Sequence, residues 1–583
     1  MAGITSALLL LVLSTIVWQQ TVRGGCVPEY AFYPPSYSNN ALHDTFLDIQ
    51  QSLNVLIEQQ EAFNDTSFAL EVSSSKETLF KFYHTMLRAT KDSPTETING
   101  STMFRIESNT KLFTALGILK QEALGHLDLD DSILRYVQDL EADKTSFDWE
   151  RITIRSLLAH MTGLPDTLAD DDLLLLLANP TEYGLPPVSD KTLSTLPPCG
   201  VFSNYTEPCT EQDLLQSLPQ YGPVLPPQVE PSYSNIGYDL LGLVISNVTG
   251  MNYRDYISSS ILQPLGLNNT SFTPPAQSAA KLPYPSAWSQ ETGLGGLYSS
   301  SSDMILFLRY CLLNHDNITP SLDWFSPKAY SAGQHSFLGY TWEIFRTSSI
   351  LPDSERVVTF VTKGGGGTEY YSYSIILPAY DLVVFTAAAG ELPALNDVFA
   401  AVRDKLVLGA ERVAQQDLKT TYAGTYSALG CRNSSSLCSQ NPPGLNSSIT
   451  LAQSSSRSLS ISAWISNSTD ALQALLSVSS SQSGQTGNVY FQFTPMFRAI
   501  SGPSSDGSNR TGEIWRFINV IDDTEVPTNA TNVWDDYCAS NLDPLRYGGV
   551  SVNEVVFWRD TETGLIEEIQ IPAFQVAMGR EKA

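Results

Sequence analysis

Residues 104–119 read FRIESNTKLFTALGIL, and this stretch decides the fold. Its apolar positions Leu112, Phe113, Leu116 and Leu119 recur at helical spacing. Side chains three residues apart share a helix face, so a helix here brings Ser108 and Lys111 together. Ser108 then stands at the helix N-terminus, where free N–H groups and the positive dipole end favour a developing anion. Serine is a weak nucleophile until a base takes its proton. A buried lysine near other cations has a depressed pKa and can act as that base. Taken alone, Ser108 also reads as an ordinary helix N-cap.

Two further elements follow in chain order. Residues 231–245, PSYSNIGYDLLGLVI, hold Tyr233-Ser234-Asn235. A tyrosine passes a proton to a leaving group when cations stabilise its phenolate. Asn235 offers an amide to orient Lys111 and a substrate amide. Residues 357–367, VVTFVTKGGGG, hold Lys363-Gly364-Gly365. Lys363 supplies positive charge for a carboxylate or for the phenolate, and the glycines let a substrate backbone approach closely. The Gly366 N–H, with that of Ser108, is the expected oxyanion hole, and Gly365 is expected beside it on the substrate-binding edge. Each element alone is weak, since a core tyrosine and a solvated turn lysine look the same. The chain itself carries a second Ser-x-x-Lys at Ser73 to Lys76 and a second Tyr-x-Asn at Tyr37 to Asn39. Ser73 follows a strand-like run and precedes a turn, and Tyr37 lies in a Pro-rich stretch, so both read as chance matches.

Together these segments resemble the serine β-lactamases, penicillin-binding proteins and related esterases. Residues 104–119 are similar to the nucleophile helix of that family, and 231–245 to its second-motif helix. Residues 152–166, ITIRSLLAHMTGLPD, resemble the segment ending in His-x-Ser-Gly-Leu-Pro. Residues 293–308, GLGGLYSSSSDMILFL, resemble the family's Gly-Gly-Leu segment and its helix. The resemblance covers residues 40–410 and follows the class C pattern. It implies Ser108 as acyl-forming nucleophile, Lys111 as general base, Tyr233 as acid and base on the leaving group, and Lys363 as the third-motif lysine. It implies a structural, hydrogen-bonded role for His160. The implied fold is α+β, an antiparallel sheet flanked by helices with an all-α lobe. Residues 422–430, YAGTYSALG, resemble the start of a β module that often follows. Glu107 departs from the family's small residue before the serine; it either stabilises Lys111 as a cation or points to solvent. Glu369 stands where a glycine is usual, and 166–231 form a long insertion.

The secondary structure expected elsewhere is coarse. A helix is expected over 42–63, a strand over 67–72, a helix over 235–256 and another over 395–408. Residues 357–390 read as strands, with TKGGGG as a turn. After about Thr420 the chain turns Ser/Asn/Gly-rich with short alternating apolar runs, which predicts a C-terminal all-β domain of sandwich or barrel kind. The expected division is a signal peptide over 1–25, a β-lactamase/transpeptidase-like domain over 26–412 and the all-β domain over 413–583.

Composition sets the surroundings. The 583 residues carry a formal net charge of -28, which repels phosphate backbones and argues against a nucleic-acid partner. The apolar run within 1–25 is too short for a span and reads as a signal peptide, so the chain is expected to be secreted, with no membrane contact after cleavage. Asn-x-Ser/Thr acceptors stand at Asn64, Asn99, Asn204, Asn247, Asn268, Asn269, Asn317, Asn433, Asn446, Asn467, Asn509 and Asn529. Of seven cysteines, Cys199 with Cys209 and Cys431 with Cys438 flank short loops and suit local disulfides. Cys26 is free to pair with Cys538, and Cys311 reads as a buried thiol. No Cys/His cluster has metal-ligand spacing, and no cofactor is expected. No Gly-x-Ser-x-Gly elbow supports an α/β-hydrolase, and Lys363 precedes its glycines where a P-loop lysine would follow them. Two functions remain. One is a secreted serine hydrolase or acyltransferase acting on a small or peptide-like ester, amide or lactam. The other is a non-catalytic binding or structural glycoprotein that keeps the fold.

Overall fold

The computed structural model describes residues 27–87, 97–142, 147–167, 172–194, 196–197, 209–273, 275, 296–318, 324–367, 370–428, 446–483, 488–503, 509–522, 542–560 and 563–581. Cys26, Cys199, Cys431, Cys438, Cys538, Asn204, Asn433, Asn529, Glu369 and the expected signal peptide over 1–25 fall outside them. The chain divides into two compact units. One comprises His43–Thr347 and Thr359–Leu406; the other comprises Met1–Leu42, Ser348–Val358 and Val407–Ala583.

In the first unit, β1 (Ser67–Ser74) and β2 (Thr78–His84) form a hairpin. β3 (Met103–Arg105), β4 (Thr270–Ser271) and β5 (Tyr298–Ser300) make a small separate sheet in the order β3-β5-β4. β6 (Ala329–Tyr330), β7 (Ser336–Leu338), β8 (Glu343–Thr347), β9 (Val358–Gly366), β10 (Tyr370–Leu377) and β11 (Leu382–Ala389) complete the main sheet, ordered β2-β1-β11-β10-β9-β8-β7-β6. The helices that matter here are α1 (His43–Gln59), α2 (Thr110–Ala123), α3 (Ile154–Leu158), α4 (Asn235–Thr249), α5 (Ser301–Ile318) and α6 (Leu392–Thr421). Between β3 and β4 every described element is helical, which is the all-α lobe.

The sheet is covered on both faces, and the sequence shows why. β1 and β11 are buried at every position, as expected of strands sandwiched between helices. Successive side chains point to opposite faces. Ala69, Val383, Phe385 and Ala387 join the core with Met304, Phe307 and Leu308 of α5. Leu70, Ile375, Leu377 and Val384 face Phe399, Val402 and Leu406 of α6. α2 is anchored to α5 by the stacked rings of Phe113 and Phe307, 4.2 Å apart. Phe113→Ala would cost about 3–5 kcal/mol of that anchoring.

Three expectations change. TKGGGG is not a turn: Lys363 to Gly366 continue β9 and pair with β10, Ser374 opposite Lys363 and Tyr371 opposite Gly366. Gly365 is needed in the strand because the Ile106 carbonyl comes too close for a side chain. The helix expected over 395–408 runs on to Thr421, since Val407, Ala410, Ala414 and Leu418 keep a buried stripe past Gly409. The helix expected over 235–256 is two, broken at Gly250, whose φ of 66° ends α4 in the left-handed conformation.

The second unit is predominantly β. Strands Gly424–Ala428, Val576–Arg580, Ile566–Ile571, Glu554–Arg559, Asn509–Asp522, Asn488–Pro503, Ser458–Ser466 and Ser448–Ser454 pair in that order. The last also pairs with the first, so the sheet closes into an antiparallel barrel. One helix, Ala471–Ser483, accompanies it. Residues 27–42 and 348–358 pack within this unit: Arg356 is fully buried, donates to the Glu29 carbonyl at 3.1 Å, pairs with Glu411 and lies 4.8 Å from the Phe32 ring. Cys311 in the first unit is a buried free thiol, and Cys209 is buried and disulfide-bonded.

Candidate active site

Ser108 sits in the 3-10 turn Glu107–Asn109 that leads from β3 into α2. The turn is tied down on three sides. The Ile106 N–H donates to the Leu297 carbonyl at 3.0 Å. The Ser372 hydroxyl on β10 donates to the Ile106 carbonyl and accepts from the Asn109 amide, both at 2.8 Å. A Cβ added at Gly365 would stand 2.3 Å from the Ile106 oxygen, so only glycine lets β9 pass this close. Glu107 takes φ of 49°, a strained value for a side-chain-bearing residue. It is not solvent-directed: its carboxylate pairs with Arg105 Nε at 3.0 Å and lies where a Cβ on Gly367 would meet it at 2.6 Å.

The N-cap reading of Ser108 fails on geometry. The residue in the cap position is Asn109, and no side chain caps the helix. Instead Ser108 Oγ accepts from Lys111 Nζ at 3.0 Å and from the Tyr233 hydroxyl at 2.9 Å. Lys111 also donates to Asn235 Oδ1 at 2.7 Å. Asn235 is oriented in turn by Asp166, whose Oδ1 accepts from Asn235 Nδ2 at 2.8 Å. Tyr233 is set by the chain around Ser234, whose hydroxyl caps α4 by accepting from the Gly237 N–H at 3.1 Å. The His160 ring stacks on Tyr233 with centroids 4.5 Å apart, and His160 Nδ1 accepts from the Ser234 N–H at 3.1 Å.

Lys363 reaches the same centre from β9. Its Nζ lies 5.4 Å from the Tyr233 ring centre and donates to Glu343 Oε1 and to the Gly364 carbonyl, each at 2.6 Å. Glu343 Oε2 accepts from the Gly364 N–H at 2.9 Å. Gly366 is one residue beyond the Ile106 crossing and exposed.

The charges set the protonation order. Burial pulls Lys111 below the ordinary lysine value; Tyr233 opposes that and Lys363 adds to it. Burial alone would raise Tyr233, but the two ammonium groups outweigh it and the phenol falls below its ordinary value. Burial would lower Lys363, yet Glu343 and Tyr233 prevail and hold it above the ordinary value. His160 is pushed well below its ordinary value by burial and then by both lysines, so the ring is neutral at physiological pH. The arrangement therefore holds one firm cation, Lys363, and two groups that give up a proton easily beside a serine hydroxyl.

Every sequence-predicted catalytic residue described above, Ser108, Lys111, Tyr233, Asn235 and Lys363, falls in this one cluster. Reading the sequence missed Glu343, Asn109 and Ser372, and gave Asp166 no role. Among the described residues, no group of three or more His, Cys, Asp or Glu side chains is placed to hold a metal ion.

A sheet between helices with this turn at its edge defines the β-lactamase/transpeptidase-like class of serine-hydrolase folds. The chain belongs to the β-lactamase family, whose description, Beta-lactamase, matches residues 74–408. A second family, described as Beta-lactamase-like-like, C-terminal domain, matches residues 414–582. Similar proteins include "Probable hydrolase clz13" of Cochliobolus lunatus, 34% identical over 95% of this chain and 91% of the relative. "Probable hydrolase M10" of a Phoma species is also 34% identical, over 95% of this chain and 91% of the relative. "Beta-lactamase-like protein" of Arthroderma benhamiae is 25% identical over 94% of each chain. A solved β-lactamase/D-alanine carboxypeptidase from Yersinia pestis aligns at 20% identity and a TM-score of 0.47, over 64% of this chain and 99% of its own.

Proposed function

We propose that the protein is a serine hydrolase or acyltransferase that cleaves an ester, amide or lactam through an acyl-enzyme on Ser108. The observation that carries this reading is the pair of hydrogen bonds converging on Ser108 Oγ, from Lys111 at 3.0 Å and Tyr233 at 2.9 Å. Lys111 in its neutral form takes the serine proton as Oγ attacks the carbonyl. The N–H groups of Ser108 and Gly366 receive the oxyanion. Tyr233 hands a proton to the leaving group and afterwards withdraws one from the water or alcohol that releases the acyl group. Asn235 holds Lys111, and Lys363 steadies the phenolate.

Secretion belongs to the same proposal. It is supported by the leader-like residues 1–25, the disulfide-bonded Cys209, and the exposure of the acceptors Asn99, Asn247, Asn268, Asn446 and Asn467. The test is intact-mass analysis of the folded protein after a fluorophosphonate. One adduct mapped to Ser108 is expected. A folded protein that takes no adduct would overturn the reading in favour of a non-catalytic glycoprotein.

A further inference from the structure

The Asn235 amide has two unlike faces, a carbonyl oxygen that accepts and an NH2 that donates. Which face meets Lys111 decides what the lysine can do. As an ammonium, Lys111 only donates, and Asn235 Oδ1 suits it. As the neutral amine that starts the reaction, Lys111 has one lone pair, and that pair must take the proton from Ser108. An Asn235 turned the other way would donate an N–H into the same pair and compete with the serine. The terminal torsion of an asparagine is close to two-fold, so another group has to choose between the two rotations. That group is Asp166. Its Oδ1 accepts from Asn235 Nδ2 at 2.8 Å, which turns Asn235 Oδ1 to Lys111 Nζ at 2.7 Å. An ionised carboxylate offers acceptors alone, so the reversed amide would set oxygen against oxygen here.

Asp166 is fixed by its own main chain. Its carbonyl accepts from the Asn235 and Ile236 N–H groups at 2.9 and 3.1 Å, and its Oδ1 accepts from the Asn235 N–H at 3.3 Å. The base of the 166–231 insertion is laced beside it. The N–H groups of Val224, Gln228 and Ser232 donate to the carbonyls of Gly163, Met161 and His160 at 2.9, 2.7 and 2.9 Å. Gly163 permits this lacing, with φ of 69° and a place where a Cβ would run into the Leu225 carbonyl. Asp166 itself is exposed, so its side chain fills no core space. We propose that Asp166 is a positioning residue: by holding the Asn235 amide with its oxygen towards Lys111, it keeps the lysine lone pair free to receive the Ser108 proton. This rests on the acyl-enzyme reading above. In the step it serves, the Ser108 hydroxyl proton passes to neutral Lys111 Nζ as Oγ bonds to the carbonyl carbon, and the carbonyl π pair moves to the oxygen.

The experiment measures the second-order rate at which a fluorophosphonate labels Ser108, a step that needs the nucleophile and its base. Asp166→Ala keeps the backbone carbonyl and should slow labelling by about tenfold, the order expected when one hydrogen bond to a charged group is lost. Asp166→Asn, whose own amide can turn either face to Asn235, should slow it by about threefold. The deciding comparison is made in Asn235→Ala, where no amide remains to be oriented. There each Asp166 substitution should change the rate by less than about twofold. The same factor in both backgrounds would make Asp166 a structural residue only and overturn the proposal. So would an Asp166→Ala protein labelled as fast as the wild type; either result leaves Ser108 as nucleophile. If Asp166→Ala does not fold, the isosteric Asp166→Asn carries the same comparison. A folded wild-type protein that takes no label overturns the acyl-enzyme reading and this one with it.

Discussion

Among the described residues Ser-x-x-Lys occurs twice, and the two copies have opposite fates. At Ser108 the tetrad enters α2, so Lys111 folds back within 3.0 Å of the hydroxyl and is fully buried. At Ser73 it leaves β1 for the β1–β2 hairpin. There the Ser73 hydroxyl is directed at the carbonyls of Ser74 and Glu77, 2.8 and 2.7 Å away, and Lys76 is exposed. The same four letters give a coupled pair on a helix and two unrelated side chains on a strand and turn. Burial then separates them further, because only the buried lysine is stripped of water enough to lose its proton early.

The sharpest way to break this contrast is to remove each serine. Ser108→Ala should lower kcat/KM for an ester by about a thousandfold or more, since no other hydroxyl replaces the nucleophile. Ser73→Ala should leave that rate within about twofold. Lys111→Met should cost about a thousandfold through the lost base, whereas Lys76→Met should cost nothing measurable. Rates above the wild-type tenth in Lys111→Met would place the base elsewhere. Tyr233→Phe should follow at about a hundredfold, and it bears on pH.

Lys111 lies below its ordinary value, so the neutral amine that accepts the serine proton becomes populated as pH rises. The wild-type kcat/KM should therefore climb with pH to a plateau that begins below the ordinary lysine value. It should fall again as Tyr233, whose phenol also lies below its ordinary value, loses the proton it hands to the leaving group. In Tyr233→Phe the phenol no longer stabilises the Lys111 ammonium, so the acid limb should move to lower pH. An unmoved limb would show that Lys111 and Tyr233 titrate independently. A smaller effect is expected at Gly365→Ala. Its Cβ would meet the Ile106 carbonyl at 2.3 Å, and the strain should reduce stability by about 1–3 kcal/mol in a denaturant titration. The smallest is the stability change of Ser73→Ala, about 1 kcal/mol, from carbonyls left without their hydroxyl partner.

What the sequence made legible was whatever is local. Ser108 and Lys111 lie one helical turn apart, Tyr233 and Asn235 share one α4 entry, and Lys363 is flanked by glycines that signal a close approach. Glu343 was illegible because its partner is 20 residues away across a strand pair, and nothing in WEIFRT marks a functional carboxylate. Asp166 and Ser372 act only through contacts made after folding, on Asn235 and on the Ile106–Asn109 turn. The Gly-rich run misled for a related reason. Glycine is read as a turn former, but here it is the residue that lets a strand run beside another backbone. The helix also runs past Gly409, since one glycine costs a helix about 1 kcal/mol and a continuing buried stripe outweighs it.

The barrel of the second unit brings the two ends of its strand run together. Its opening strand Gly424–Ala428 hydrogen-bonds to its closing strand Val576–Arg580, with Tyr426 opposite Arg580. Entry and exit therefore sit side by side, and the ring between them is completed from its own strands. The unit nevertheless draws residues 27–42 and 348–358 from elsewhere in the chain, with Arg356 buried against Glu29 and Glu411, so it is stitched together from three stretches of sequence and cannot be cut away at a single joint.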